Sequence, residues 1–221
     1  MSVMPHHSPN TRALIFTGGT LDPWALEHLL PTDYIIGADR GAEFLTRNGY
    51  APHLALGDFD SVTPDQMDRI RETAIELYTC DPIDKDWTDT ELALREAIKR
   101  GFMEIVLLGA FGTRFDHVLG NVHLLRHASE HGCRLTLIDD HNEIRLCVDR
   151  LVLDAEPKFP YTSLLPLSLE VTGVTLKGFR YPLKDATLKL GWSIGVSNVL
   201  EASSGAISIT DGLLLVIRSR D

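Results

Sequence analysis

A chain of 221 residues, 44% hydrophobic and 24% charged, can bury one large core or two small ones, which excludes disorder as its main state. Its net charge of −10 sits in the first part: residues 1–140 carry 22 Asp and Glu against 12 Lys and Arg, and residues 141–221 carry nine of each. That balance lacks the basic footprint of a nucleic-acid binder, and no run of about 18 apolar residues is present to span a membrane.

The polar stretch Met1–Thr11 has no apolar signal core. Three cysteines, Cys80, Cys133 and Cys147, fit neither a disulfide framework nor a zinc pattern. A cytoplasmic protein with reduced thiols is expected.

In chain order, Ala13–Thr17, Tyr34–Ala38, Leu54–Leu56, Ile105–Leu108 and Leu135–Ile138 read as strands. They are apolar without alternation, as in strands covered on both faces. Helices are predicted near Trp24–Leu30, Gly41–Asn48, Pro64–Glu72, Thr90–Arg100 and Asp116–His131. Gly49, Gly101 and Gly132 follow three of them, where a helix stops most easily. Thr88 with Glu91 three residues on forms a capping box, and Leu94 with Ile98 supplies a buried stripe. Strands alternating with helices imply a parallel α/β sheet, whose ligands gather at the carboxyl ends of the strands.

After about residue 141 the pattern changes. Leu167–Val171, Val174–Leu176, Ala186–Leu190, Ala206–Ile209 and Leu213–Ile217 are short β-type runs punctuated by glycines. The expected organisation is therefore an α/β parallel-sheet domain over 1–140, followed by a small all-β, sandwich-like domain over 141–221.

Four acidic clusters follow strands of the first part: Asp39-Arg40-Gly41, Gly57-Asp58-Phe59-Asp60-Ser61, Lys85-Asp86-Trp87-Thr88-Asp89, and Arg114-Phe115-Asp116-His117. If the chain stays extended through Asp58-Phe59-Asp60, both carboxylates point the same way, and a cation between them would offset their repulsion. Mg²⁺ accepts such sparse carboxylate ligation, with phosphates and waters completing its shell. An Asp-rich turn reads the same way locally. Thr88 and Asp89 also serve the helix start, whereas Asp86 precedes the cap and is free to face a site. Lys85 is either a phosphate contact or an ion-pair partner. Arg114 is either a phosphate clamp or a partner of Asp116. His117 fits a structural or supporting role. Gly18-Gly19-Thr20 after the first strand could admit a phosphate. No G-x-x-x-x-G-K-[ST] loop or G-x-G-x-x-G fingerprint occurs, which removes the common nucleotide-binding motifs.

Taken together and in order, Ala38–Ala42, Gly57–Ser61, Lys85-Asp86-x-Thr88-Asp89 and Leu108-Gly109-Ala110 with Arg114–His117 resemble the thiamine pyrophosphokinase family. Leu176–Leu183 and Ser197-Asn198 extend the likeness to about residues 12–220. The resemblance implies transfer of pyrophosphate from ATP to the hydroxyl of thiamine, with Mg²⁺, by a homodimer whose active sites lie between subunits. It implies Asp58, Asp60 and Asp86 at the metal, with Asp39 and Asp89 nearby and Asp116 a further catalytic carboxylate. Asp39, Lys85, Thr88, Asp89 and Arg114 would lie on the ATP side, and Tyr181, Ser197 and Asn198 at thiamine. Trp192 departs from the smaller residues expected before Ser197. An acidic site also suits a cationic substrate. The alternatives are a pyrophosphokinase for another heterocyclic alcohol, such as a hydroxymethyl pterin, and a non-catalytic binding protein on the same scaffold.

Overall fold

The unalternating apolar runs of the first part become a parallel sheet. The structure is a computed structural model describing residues 11–79 and 87–221. Its contacts divide the chain into Met1–Asp140 and His141–Asp221.

In the first unit, β1 (Ala13–Phe16), β2 (Tyr34–Ala38), β3 (Leu54–Gly57), β4 (Glu76–Thr79), β5 (Glu104–Leu108) and β6 (Arg134–Ile138) run parallel, in the order β6-β5-β1-β2-β3-β4. The helices are α1 (Arg40–Arg47), α2 (Pro64–Thr73), α3 (Asp89–Lys99) and α4 (Phe115–Glu130). All four residues of β1 are fully buried, as befits a central strand with both faces covered. Leu14 and Phe16 pack with Phe44 and Leu45 of α1 and with Val106, Leu108 and Ile138. Truncating a fully buried leucine such as Leu45 in this cluster costs about 2–5 kcal/mol.

Three features differ from the expectations. The segment expected as a helix near Trp24–Leu30 is a 3-10 turn over Pro23–His28. The edge strand β4 carries four exposed residues and has no apolar run to announce it. Thr88 caps α3 by accepting from Glu91 N at 3.2 Å. The reciprocal capping box is instead on α2, between Thr63 and Gln66.

The second unit is antiparallel. β7 (Asn142–Cys147), β9 (Tyr161–Pro166), β12 (Asn198–Val199) and β14 (Leu214–Ser219) pair in the order β12-β9-β14-β7. β8 (Arg150–Asp154), β10 (Glu170–Lys177), β11 (Ala186–Lys189) and β13 (Ser204–Ser208) pair in the order β11-β10-β13-β8. Inward residues of both sets, among them Leu164, Val171, Val174, Leu188, Ile207 and Val216, share one apolar core. The runs expected at Leu167–Val171 and Val174–Leu176 are largely one strand, β10, with a register shift between Val171 and Val174. Gly173 sits in the shift with φ +69°, and a Cβ there would come within 2.0 Å of Thr210 Oγ1. β7, β8, β9 and the short β12 were not expected. Among the described residues, no helix is long and apolar enough to cross a membrane.

Candidate active site

The strand order fixes where the first unit opens. After β4 the chain returns to place β5 beside β1, so the loops leaving β1 and β5 diverge at a topological switch point. Those loops are zipped at their base: Thr17 N donates to Leu108 O at 3.0 Å, Gly19 N to Gly109 O at 3.0 Å and Thr20 N to Phe111 O at 2.8 Å. A Cβ on Gly19 would lie 2.2 Å from Gly109 O, so the approach requires glycine.

Above the zipper is a cavity of about 800 Å³, within the range of small-ligand sites. Thr17, Gly18, Asp39, Arg40, Asp58, Asp60, Ser61, Trp87, Thr88, Asp89, Arg114 and His117 contribute to its wall.

Asp39 ends the crossover from β2 and caps α1 with φ 48° and ψ −116°, a costly backbone state for a non-glycine residue. Its N–H is tied to Leu56 O at 2.9 Å. The side chain is buried, and among the described residues Oδ1 has no hydrogen-bond partner. Burial is the main cause raising its carboxyl above the usual range; Asp89 and Asp60 push the same way, against the Ser61 hydroxyl and Arg40 N–H.

Asp58 and Asp60 do converge, though not by extended alternation. β3 ends at Gly57, and Phe59 takes φ 57° while burying its ring against Ala42, Ala55 and Ile70. The backbone folds so that Asp60 N donates to Asp58 Oδ1 at 3.2 Å. Carboxylate oxygens of Asp39, Asp58 and Asp60 lie within 4.8 Å of one another. Three converging carboxylates, one buried with an unpartnered oxygen, suit a hard divalent cation such as Mg²⁺.

The other residues singled out in the sequence divide. Thr88 and Asp89 line the cavity at the start of α3. Lys85 and Asp86, with Cys80, lie outside the described residues. Arg114 reaches the cavity and pairs with Asp116 at 2.6 Å. Asp116 is exposed and does not line the wall; its bond to Arg114 holds its carboxyl below the usual range.

Some residues were not anticipated. Thr17 and Thr90 place their hydroxyls 2.6 Å apart in the buried wall, and Asn121 Nδ2 donates to Ala110 O at 2.7 Å, bracing the loop after β5. Single polar residues within apolar runs carried no sequence signal beyond their type.

In the second unit, Tyr181 is 63% exposed and so is not part of the apolar core. Asn198 is buried and brackets Tyr181: its Oδ1 accepts from Tyr181 N at 3.1 Å, and its Nδ2 donates to Tyr181 O at 2.8 Å. Ser197 has φ 61° and donates its N–H to Ser163 Oγ at 3.0 Å. Trp192, Ile194 and Val196 are exposed in the same stretch.

Residues 26–137 match the family described as thiamin pyrophosphokinase, catalytic domain, and residues 150–214 match its vitamin B1 binding domain. The chain is 36% identical over 187 residues to a thiamine pyrophosphokinase of Bacillus subtilis, covering 84% of this chain and 87% of that one. A crystal structure of the B. subtilis thiamine pyrophosphokinase superposes with a TM-score of 0.88 at 33% identity, covering 96% of this chain and all of that one. A thiamin pyrophosphokinase structure from Geobacillus thermodenitrificans does so at 0.85 and 30% identity, covering 96% and 98%.

Proposed function

This chain belongs to the thiamin pyrophosphokinase family and is a thiamine diphosphokinase, and from that premise we propose how its site works. ATP enters the cavity of the first unit with its phosphates toward Asp39, Asp58 and Asp60. The observation that carries this reading is the convergence of those three carboxylates within 4.8 Å at the carboxyl ends of β2 and β3.

In this reading Asp58, Asp60 and Asp86, the three implied by resemblance, would hold Mg²⁺, with Asp39 added by its place in the carboxylate group. When bound, Mg²⁺ neutralises triphosphate charge and polarises the phosphoryl oxygens. The thiamine hydroxyl oxygen attacks the β-phosphorus. The bond from that phosphorus to the α,β-bridging oxygen breaks, and AMP leaves with the electron pair. Asp86 or Asp116 takes the hydroxyl proton. Arg114 exchanges its bond to Asp116 for phosphate oxygens, which a guanidinium matches in a bidentate way. Asp89 and Thr88 hold the start of α3 against the site, and Lys85 adds positive charge near the phosphates.

Thiamine is bound by the second unit, with Tyr181 against the heterocycle and Ser197 beside it. Asn198 acts mainly by fixing the Tyr181 backbone, because its amide is largely used there. The active form is a homodimer that covers the exposed Trp192, Ile194 and Val196 and completes each site from two chains. An active monomer by light scattering at assay concentration would contradict this. We place the enzyme in the cytoplasm, where ATP is available.

An acceptor panel tests the reading. Purified protein with ATP and Mg²⁺ should form AMP with thiamine and not with a hydroxymethyl pterin; the opposite preference would overturn it.

A further inference from the structure

Trp87 occupies the variable position of the Lys85-Asp86-x-Thr88-Asp89 segment, so the likeness of motifs gives it no role. The structure gives it unusual surroundings. It lines the cavity, and 44% of it is exposed and open to a ligand. The ring is also held. The Arg95 guanidinium lies over it at 4.5 Å from the centroid, and Arg95 Nε is itself bonded to Glu91 Oε1 at 2.8 Å. Both holding residues stand on α3, which is anchored by buried Thr90, Ala93, Leu94 and Ala97. Trp87 directly precedes the Thr88 cap, so its backbone is fixed at the helix start.

We propose that Trp87 is the stacking platform for the adenine ring of ATP, clamped from behind by Arg95 and Glu91. This rests on the ATP-dependent reaction proposed above and adds a nucleotide-selecting residue to it. An indole that lines the cavity with a cation over one face has its other face left to take a planar ligand. Thiamine's thiazolium is a poor occupant of that face. The ring's negative quadrupole is already engaged by one guanidinium, and a second cation across the same ring would face repulsion. A neutral, polarisable purine has no such conflict, and stacking on an aromatic side chain tolerates any base with a large π face. The acidic cluster, by contrast, draws a cation toward Asp39, Asp58 and Asp60. Charge thus separates the two heterocycles, adenine to Trp87 and the thiazolium elsewhere.

The test has a binding arm and a kinetic arm. In the binding arm, AMP is titrated into the parent and into Trp87→Phe without turnover, and the difference in tryptophan fluorescence isolates Trp87. AMP should quench that signal saturably, whereas ribose 5-phosphate, which lacks the base, should not. Equal quenching by both, or none by AMP, overturns the proposal. In the kinetic arm, Trp87→Ala should raise the KM for ATP about tenfold with the KM for thiamine and kcat within about twofold. Trp87→Phe, which keeps a ring, should recover most of the ATP affinity. A rise in the thiamine KM with ATP unchanged would overturn the assignment, as would equal rises in both. If AMP quenches Trp87 but no acceptor is turned over, the stacking site stands and the reaction reading fails. If turnover is normal and neither signal responds, the reverse holds.

Discussion

Asp39→Asn separates what the acidic cluster costs the fold from what it does for the reaction. Asp39 is buried, and its carboxylate faces those of Asp58 and Asp60 within 4.8 Å. Two unit charges at that distance repel by about 3 kcal/mol at an effective dielectric constant of 20. Asp58 is half-buried and Asp60 exposed, so solvent reduces each interaction to about 1 kcal/mol. Removing the Asp39 charge should therefore stabilise the metal-free protein by about 1–2 kcal/mol, or roughly 2–8 °C in Tm for a chain of this size. The sign with pH follows from the raised carboxyl. A carboxyl raised above its unfolded value favours the folded state below the unfolded pKa, and that advantage disappears as pH rises through the folded value. The gain in Tm from Asp39→Asn should thus be largest near neutral pH and shrink in acid. Mg²⁺ should raise the Tm of the parent, since ligand binding to the native state stabilises it, and should do so much less in the variant. Thermal denaturation with EDTA and with excess Mg²⁺, at several pH values, measures all of this. A variant less stable without metal, yet with the parent's response to Mg²⁺, would refute the reasoning.

Asp58→Asn or Asp60→Asn should lower kcat at least 100-fold at saturating Mg²⁺ while circular dichroism stays unchanged, because a metal ligand is lost from the transition state; turnover within tenfold of the parent would remove the metal assignment. Thr90→Val leaves the buried Thr17 hydroxyl without its 2.6 Å partner and should cost about 1–2 kcal/mol, with Thr17→Val in addition recovering part of the loss by calorimetry. Tyr181→Ala should raise the KM for thiamine about tenfold with the KM for ATP and the Tm nearly constant, since the ring is exposed and contributes little to the core; an unchanged thiamine KM would rule out its role.

What was legible in the sequence followed burial. The central strands β1, β2 and, after its first residue Glu104, β5 are apolar and could be read directly. β4 could not, because an edge strand with Glu76-Leu77-Tyr78-Thr79 all exposed has no hydrophobic pattern to give it away. β7 was hidden by charge: Glu143 is buried in it only because Arg218 of β14 reaches it at 2.7 Å and Arg145 at 2.9 Å. The pair with Arg218 depends on a partner 75 residues away. At the site, Asp58 and Asp60 were recognised as a pair, but the device that joins them was not. A left-handed Phe59 anchored by its own burial is a tertiary effect, and extended alternation was the wrong local geometry. Asp39 was placed near the metal by resemblance; its direct entry into the carboxylate group depends on a φ of 48° that no spacing rule supplies.

Where the nucleotide breaks tests the central claim most directly. ATP labelled at the β-phosphorus is incubated with the enzyme, Mg²⁺ and thiamine, and the products are separated and quantified. Pyrophosphoryl transfer predicts that the β-label moves into thiamine diphosphate and that unlabelled AMP appears in equal amount. Thiamine monophosphate with labelled ADP, or loss of label to water without thiamine diphosphate, would contradict it.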